Sequence, residues 1–130
     1  MKEQFVTYEI AKMLKEKSFN EYCFSAYRNT DGEKSLMGLS KWKNGEVYDN
    51  HEGFAAAPIW QQVEEWLRKK HNIYIYIERD GGWWIVNIKD LSKEEEEGTL
   101  DIKLKNEYSN CFNDLFKAKE ITIKYVLTII

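Results

Sequence analysis

Between Asn72 and Ile88 the chain has few ways to fold. Ile73, Ile75 and Ile77 alternate with Tyr74 and Tyr76, and after Asp80-Gly81-Gly82 the run Trp83-Trp84-Ile85-Val86-Asn87-Ile88 alternates again. Two β-prone runs parted by glycines define an antiparallel hairpin. With Gly81-Gly82 as the turn, Ile77 faces Val86 and Ile75 faces Ile88; moving the turn to Asp80-Gly81 keeps the same parity. In either register Ile73, Ile75, Ile77, Trp84, Val86 and Ile88 fall on one side. That side is the expected core. The other collects Tyr74, Tyr76, Trp83, Ile85 and Asn87, a mixed surface that either a helix covers or a partner meets.

An amphipathic run leads into the hairpin. Pro58, the only proline, suits the first turn of a helix, where its missing N–H has no partner in any case. Ile59, Val63, Trp66, Leu67 and Lys70 follow at helical spacing on one face, with the Lys70 stem able to lie along it. Asn72 tolerates the left-handed conformation that ends helices, so the chain turns there and enters the strand.

The N-terminal Phe5 to Lys17 reads as a first helix. Thr7 can cap it, Glu9 complements the positive end of its dipole, and Val6, Ile10, Met13 and Leu14 make a narrow stripe for a sheet surface. Tyr22 to Tyr27 suits a strand, Asn29-Thr30-Asp31-Gly32 a turn, and Ser35 to Leu39 a returning strand. Asn44-Gly45, between Lys41-Trp42-Lys43 and Glu46-Val47-Tyr48, suits a type I′ turn. Asp49 to Ala56 reads as an irregular crossing. Lys93-Glu94-Glu95-Glu96-Glu97 reads as a solvated loop, and Thr99 to Lys105 as a half-buried strand with Leu100, Ile102 and Leu104 inward. The last segment is ambiguous. Ile121, Ile123, Tyr125, Leu127 and Ile129 alternate as in a strand, whereas Leu115, Ala118, Thr122, Val126 and Ile129 form a helical stripe that Asn113 or Asp114 would cap.

A length of 130 residues suits a single domain, 1–130, and 43% hydrophobic with 32% charged residues is a globular balance. The formal charge of −3 gives no electrostatic reason for a nucleic acid partner, though it leaves room for local basic patches. No apolar run reaches about 18 residues, so no membrane-spanning helix and no membrane partner is expected. Met1-Lys2-Glu3-Gln4-Phe5 lacks the apolar core of a signal peptide, which makes the cytoplasm the expected compartment. Cys23 and Cys111 lack metal or redox spacing and read as small hydrophobes.

Two groups of residues carry a resemblance. Phe5-Val6-Thr7-Tyr8-Glu9, Ala11-Lys12, Leu14-Lys15-Glu16-Lys17 and Phe19 form the first; Ala57-Pro58, Gln61, Val63, Trp66, Arg68, Lys70-His71 and Ile73 form the second. Together they resemble a family of small proteins with no assigned activity, found in gut Bacteroidetes and their phages or prophages. The resemblance implies a closing C-terminal helix, and on that basis the segment from 113 to 130 is read as helix. Where that family usually has glycine, this chain has Ser18, and the glutamate-rich loop is particular to this sequence. No catalytic residue comes with the resemblance.

The candidate chemistry is sparse. His71 ends a helix, where a positive charge suits the dipole. His51, in Asp49-Asn50-His51-Glu52-Gly53, matches neither zinc nor calcium spacing and reads as a loop residue. Asp80-Gly81-Gly82 is a hairpin turn rather than a phosphate loop, and nothing distinguishes the environments of Glu64 and Glu65 as an acid/base pair would require. No metal and no cofactor is expected. The aromatics, 15% of the chain, are the better lead: Tyr74, Tyr76, Trp83, Trp42 and Trp60 cannot all lie on the core face, and exposed aromatics serve interfaces or stacking.

The expected fold is α+β, an antiparallel sheet with helices mainly on one face, in the order α-β-β-(β)-α-β-β-β-α. From Pro58 onward this order matches that of double-stranded RNA-binding domains, where lysines opening the last helix contact phosphates. Lys117 and Lys119 would be the counterparts here, without the dense basic cluster. The expected function is a non-enzymatic protein-binding or self-associating module of phage-related origin. Nucleic acid binding through the C-terminal half is the alternative.

Overall fold

The computed structural model describes residues 4–30, 33–45, 53–93 and 110–130. They form a mixed α+β architecture as expected, but with two antiparallel three-stranded sheets rather than one. The chain divides into two compact units, Met1–Trp60 and Gln61–Ile130. The Glu94–Glu97 run, the Thr99 to Lys105 strand, Glu46-Val47-Tyr48 and His51 lie outside the described residues.

In the first unit, α1 (Tyr8–Glu16) starts where Thr7 accepts a hydrogen bond from the Ile10 N–H at 3.4 Å. It ends in a Schellman arrangement: the Phe19 N–H reaches the Leu14 carbonyl at 2.9 Å and the Ser18 N–H the Lys15 carbonyl at 3.2 Å. Ser18 takes φ of 65°, which explains why glycine suits this position. Ile10, Ala11 and Leu14 are buried as the stripe requires, with Met13 at its margin; Val6, expected in the same helix, is buried instead as extended chain ahead of it.

The strands of this unit are β1 (Ser25–Thr30), β2 (Glu33–Leu36) and β3 (Phe54–Ala57), in the order β2-β1-β3. β1 therefore starts three residues later than expected. Cys23 instead forms an isolated bridge with Trp42. The expected turn at 29–32 is narrower, since β1 and β2 pair as far as Thr30 and Glu33. The expected irregular crossing is corrected too, because its end is β3, buried at all four positions. A strand buried on both faces shows no alternation, and its alanines let α1 pack closely on it. Gly53 leads in because a Cβ there would stand 2.7 Å from the Asn29 carbonyl oxygen.

Asn44-Gly45 is a turn but not a type I′ one. Gly45 has φ of 87° while Asn44 has no positive φ, and type I′ needs both. Asn44 is held otherwise: its buried side chain donates to the Phe19 carbonyl at 3.1 Å and accepts the Ala56 N–H at 2.9 Å. Pro58 also departs from expectation. Its carbonyl accepts the Val6 N–H at 3.0 Å and Ile59 bridges Phe5, so the chain stays extended until α2 (Trp60–His71) begins.

In the second unit, Val63, Trp66 and Leu67 of α2 are buried, Ile59 before it is half-buried, and Lys70 is exposed rather than laid on the stripe. Asn72 takes φ of 56°, as the turn into β4 (Ile73–Asp80) requires. β4 and β5 (Trp83–Asp90) pair without a bulge from Ile73↔Asp90 to Asp80↔Trp83, so Gly81-Gly82 is the turn and Ile77 faces Val86. Gly81, the first turn residue, has φ of 59°. Ile73, Ile75, Val86 and Ile88 are buried; Ile77 and Trp84, nearer the turn, are half-buried. β6 (Cys111–Phe112) pairs with β5 and adds buried Phe112 opposite Trp84. The C-terminal segment is helix: α3 (Leu115–Ile129) is capped by Asp114, which accepts the Phe116 N–H at 3.0 Å. It packs against β5 and β6 through Ala118, Thr122, Ile123, Val126 and Leu127.

Candidate binding face

The pairing that buries the isoleucines turns Tyr74, Tyr76 and Glu78 of β4 the other way, beside Lys89, Asn87 and Ile85 of β5. Trp83 lies at the turn end of this face, opposite Asp80, and Cys111 continues it beside Ile85. Tyr74 is 42% exposed and Trp83 47%. Tyr76, Ile85, Asn87 and Cys111 are half-buried between them. The Tyr74 and Tyr76 rings lie 5.6 Å apart at 33°, a tilted pair two residues apart on the same face. The Asn87 Nδ2, opposite Tyr76 in the ladder, is buried without an acceptor among the described residues.

Of the five aromatics singled out in the sequence, three thus share this face. The other two do not. Trp60 is buried, a core residue with no surface to offer. Trp42 is half-buried in the first unit, its indole N–H donating to the Gly38 carbonyl at 3.1 Å and its ring 5.9 Å from that of Phe54.

A cleft of about 230 Å³ opens between α2 and β4, lined by Gln61, Glu64, Glu65, Arg68, Tyr74 and Ile75. The two glutamates differ after all. Burial pushes the Glu64 carboxyl upward, against the opposing pull of the Lys119 charge. Glu65 is held below the usual range by its hydrogen bonds to Arg68 and Lys69, which lie at 3.0 and 3.1 Å. Lys119 therefore sits in the field of an acid, while Lys117 is exposed. His71 closes α2 with its ring edge-on to Trp66 at 4.7 Å. Both cysteines are free thiols, Cys23 buried and Cys111 half-buried. Among the described residues no three histidines, cysteines or carboxylates gather as a metal site would need.

One exposed cluster escaped the sequence reading. The Cys23–Trp42 bridge points those two side chains inward and leaves Tyr22, Phe24, Lys41 and Lys43 outward. Lys41 and Lys43 stand 4.3 and 4.8 Å from the Tyr22 ring centre, and Phe24 is 64% exposed. The signal was the shared alternation of Tyr22-Cys23-Phe24 and Lys41-Trp42-Lys43. It is hidden because the aromatic and small residues from Tyr22 to Tyr27 suit one continuous strand equally well. Comparison with family models, curated proteins and solved structures gives no significant match.

Proposed function

We propose that this protein is a non-enzymatic binding module of the cytoplasm, and that it contacts a protein partner through the aromatic face of the β4–β5 hairpin. The observation that carries the proposal is the joint exposure of Tyr74 and Trp83 on a sheet face whose reverse side is buried core. Large aromatics with polar tips give much contact area for little lost side-chain freedom, and they dominate the centres of interfaces. Glu78, Asp80 and Lys89 supply a charged rim around them. Two free thiols suit a reducing compartment. The resemblance at Phe5 to Glu9 and Ala57 to Ile73 supports a phage-related origin.

The test compares wild type with the double variant Tyr74→Ser, Trp83→Ser. Full-length protein captures its partner in the native host, and the purified partner is then titrated against both forms by calorimetry. The reading requires that the variant keep its circular dichroism spectrum and bind at least about tenfold more weakly. Equal affinity for both forms would remove the face from the interface.

A second reading rests on the order α2-β4-β5-β6-α3, with the sheet in the order β4-β5-β6. That order matches double-stranded RNA-binding domains, and it would place Lys117 and Lys119 against phosphates. It predicts salt-sensitive retention on duplex RNA, lost in Lys117→Glu, Lys119→Glu. The acid beside Lys119 makes this the weaker reading.

A further inference from the structure

Strand edges expose unpaired N–H and C=O groups, and most proteins blunt them with short strands, lysine, proline or bulges. Three of the described edges follow that rule. β2 has four residues including Lys34, β3 has four and runs into Pro58, and β6 has two. β4 does not follow it. It is eight residues long, pairs in unbroken register, and has a strand neighbour on one side only among the described residues. From Ile73 to Ile77 it carries no charge, proline or glycine.

The hydrogen-bond parity says which groups this edge presents. Around a two-residue turn the flanking residues, Asp80 and Trp83, form a hydrogen-bonded pair, and every second pair repeats it. Tyr74, Tyr76 and Glu78 are therefore bonded to β5, whereas Ile73, Ile75, Ile77 and Arg79 direct their backbone groups away from it. Two independent bonds agree. The Leu91 N–H reaches the Asn72 carbonyl at 2.7 Å, one step further along the bonded series. Val86, opposite Ile77, sends its N–H across to Asn110 at 2.9 Å. Tyr74 and Ile75 of this strand line the cleft beside α2.

We propose that β4 pairs antiparallel with the β4 of a second copy of this chain, about a two-fold axis at Tyr76. This register is selected by the sequence of the strand. It sets Ile75 against the partner's Ile77, Ile73 against the partner's Arg79, and Tyr74 against the partner's Glu78, whose carboxylate can accept the phenol proton. All four outward residues of each copy find a mate, and no like charges stand opposite. Centring on Glu78 would oppose that carboxylate to its own copy. Centring on Ile77 would leave Ile73 facing the partner's turn. A two-fold arrangement is also the commonest way for identical chains to associate. The dimer joins two three-stranded sheets edge to edge and makes one continuous aromatic face from two.

The edge and the face share Tyr76 but are read separately: self-association by sedimentation, partner binding by calorimetry of Tyr74→Ser, Trp83→Ser, so either can fail alone. Sedimentation equilibrium of the full chain up to about 200 µM should show a monomer–dimer equilibrium. Tyr76→Lys, which opposes two ammonium groups on the axis, should weaken it at least about tenfold with an unchanged circular dichroism spectrum. Cysteine scanning then reads the register. The axis pair has Cα atoms about 4.5 Å apart, within disulfide range, so Tyr76→Cys should yield a covalent dimer on mild oxidation. Tyr74→Cys should not, because its two copies lie about 13 Å apart along the strands. The unsubstituted chain, with Cys23 and Cys111, is the control. A monomer at every concentration overturns the proposal, whether another segment or another partner occupies the edge. So does a dimer that cross-links equally well at both positions.

Discussion

Thr122 lies fully buried in α3, and its hydroxyl has no hydrogen-bond partner among the described residues. A hydroxyl taken out of water and left unbonded costs about 1 kcal/mol or more. Thr122→Val keeps the shape and removes the polar atom. We expect it to stabilise the protein by about 1 kcal/mol and raise Tm by about 4 °C, read by calorimetric melting. A lower Tm would mean that the hydroxyl has a function the fold alone does not explain. At this scale the sequence is a good guide wherever chemistry is local. Thr7, Asp114, Asn72 and Gly81 stand where capping and turn rules put them, since each answers to backbone groups within a few residues. Ser18 shows the same rule under strain: the left-handed position exists, but a side chain occupies it. Thr122 itself was legible as a member of the helical stripe. Its missing partner was not, because that depends on what surrounds it in space.

Between elements, single polar residues take over the work that a longer strand would do. Asn44 joins the end of α1 to β3 through Phe19 and Ala56, with both of its bonds buried. Asn44→Ala would remove the acceptor of the buried Ala56 N–H and the donor to the Phe19 carbonyl, and should destabilise by about 2 to 3 kcal/mol in urea unfolding. A loss below about 0.5 kcal/mol would show that water replaces the side chain. This tie was not legible, because Asn-Gly is also the strongest turn signal, and the turn rule gave no hint of a bond to Ala56. Between α2 and α3 the issue is electrostatic. Burial raises the Glu64 carboxyl, so the folded state holds its proton more tightly than the unfolded chain does. Stability from this group is therefore greatest below the ordinary carboxylate range. It falls as pH rises from there through the raised folded value, and levels off above it. Glu64→Gln should make the protein more stable at neutral pH and flatten the decline that begins at the ordinary carboxylate range. An unchanged slope would assign the pH dependence to other groups.

Across the whole molecule, the difficulty lies in telling aromatic core from aromatic surface. Periodicity sorted the hairpin into two faces correctly, because a two-residue turn leaves one register. It could not say which aromatics outside the hairpin are covered, since cover comes from elements distant in sequence. Trp60 and Trp83 look alike as sequence, yet one is 6% exposed and the other 47%. The strand Phe54–Ala57 was missed for a related reason, being covered on both sides and so without a pattern. This sorting has a measurable consequence. Trp66 is 5% exposed in α2, so Trp66→Ser removes a large buried ring and should cost about 3 to 5 kcal/mol, enough to unfold much of a marginal protein. Trp83→Ser removes a ring of the same size from the open face and should change stability by less than about 1 kcal/mol. Chemical denaturation of the two variants side by side gives the contrast directly. If Trp83→Ser destabilised as much as Trp66→Ser, the hairpin's second face would be part of the core and not a surface for binding.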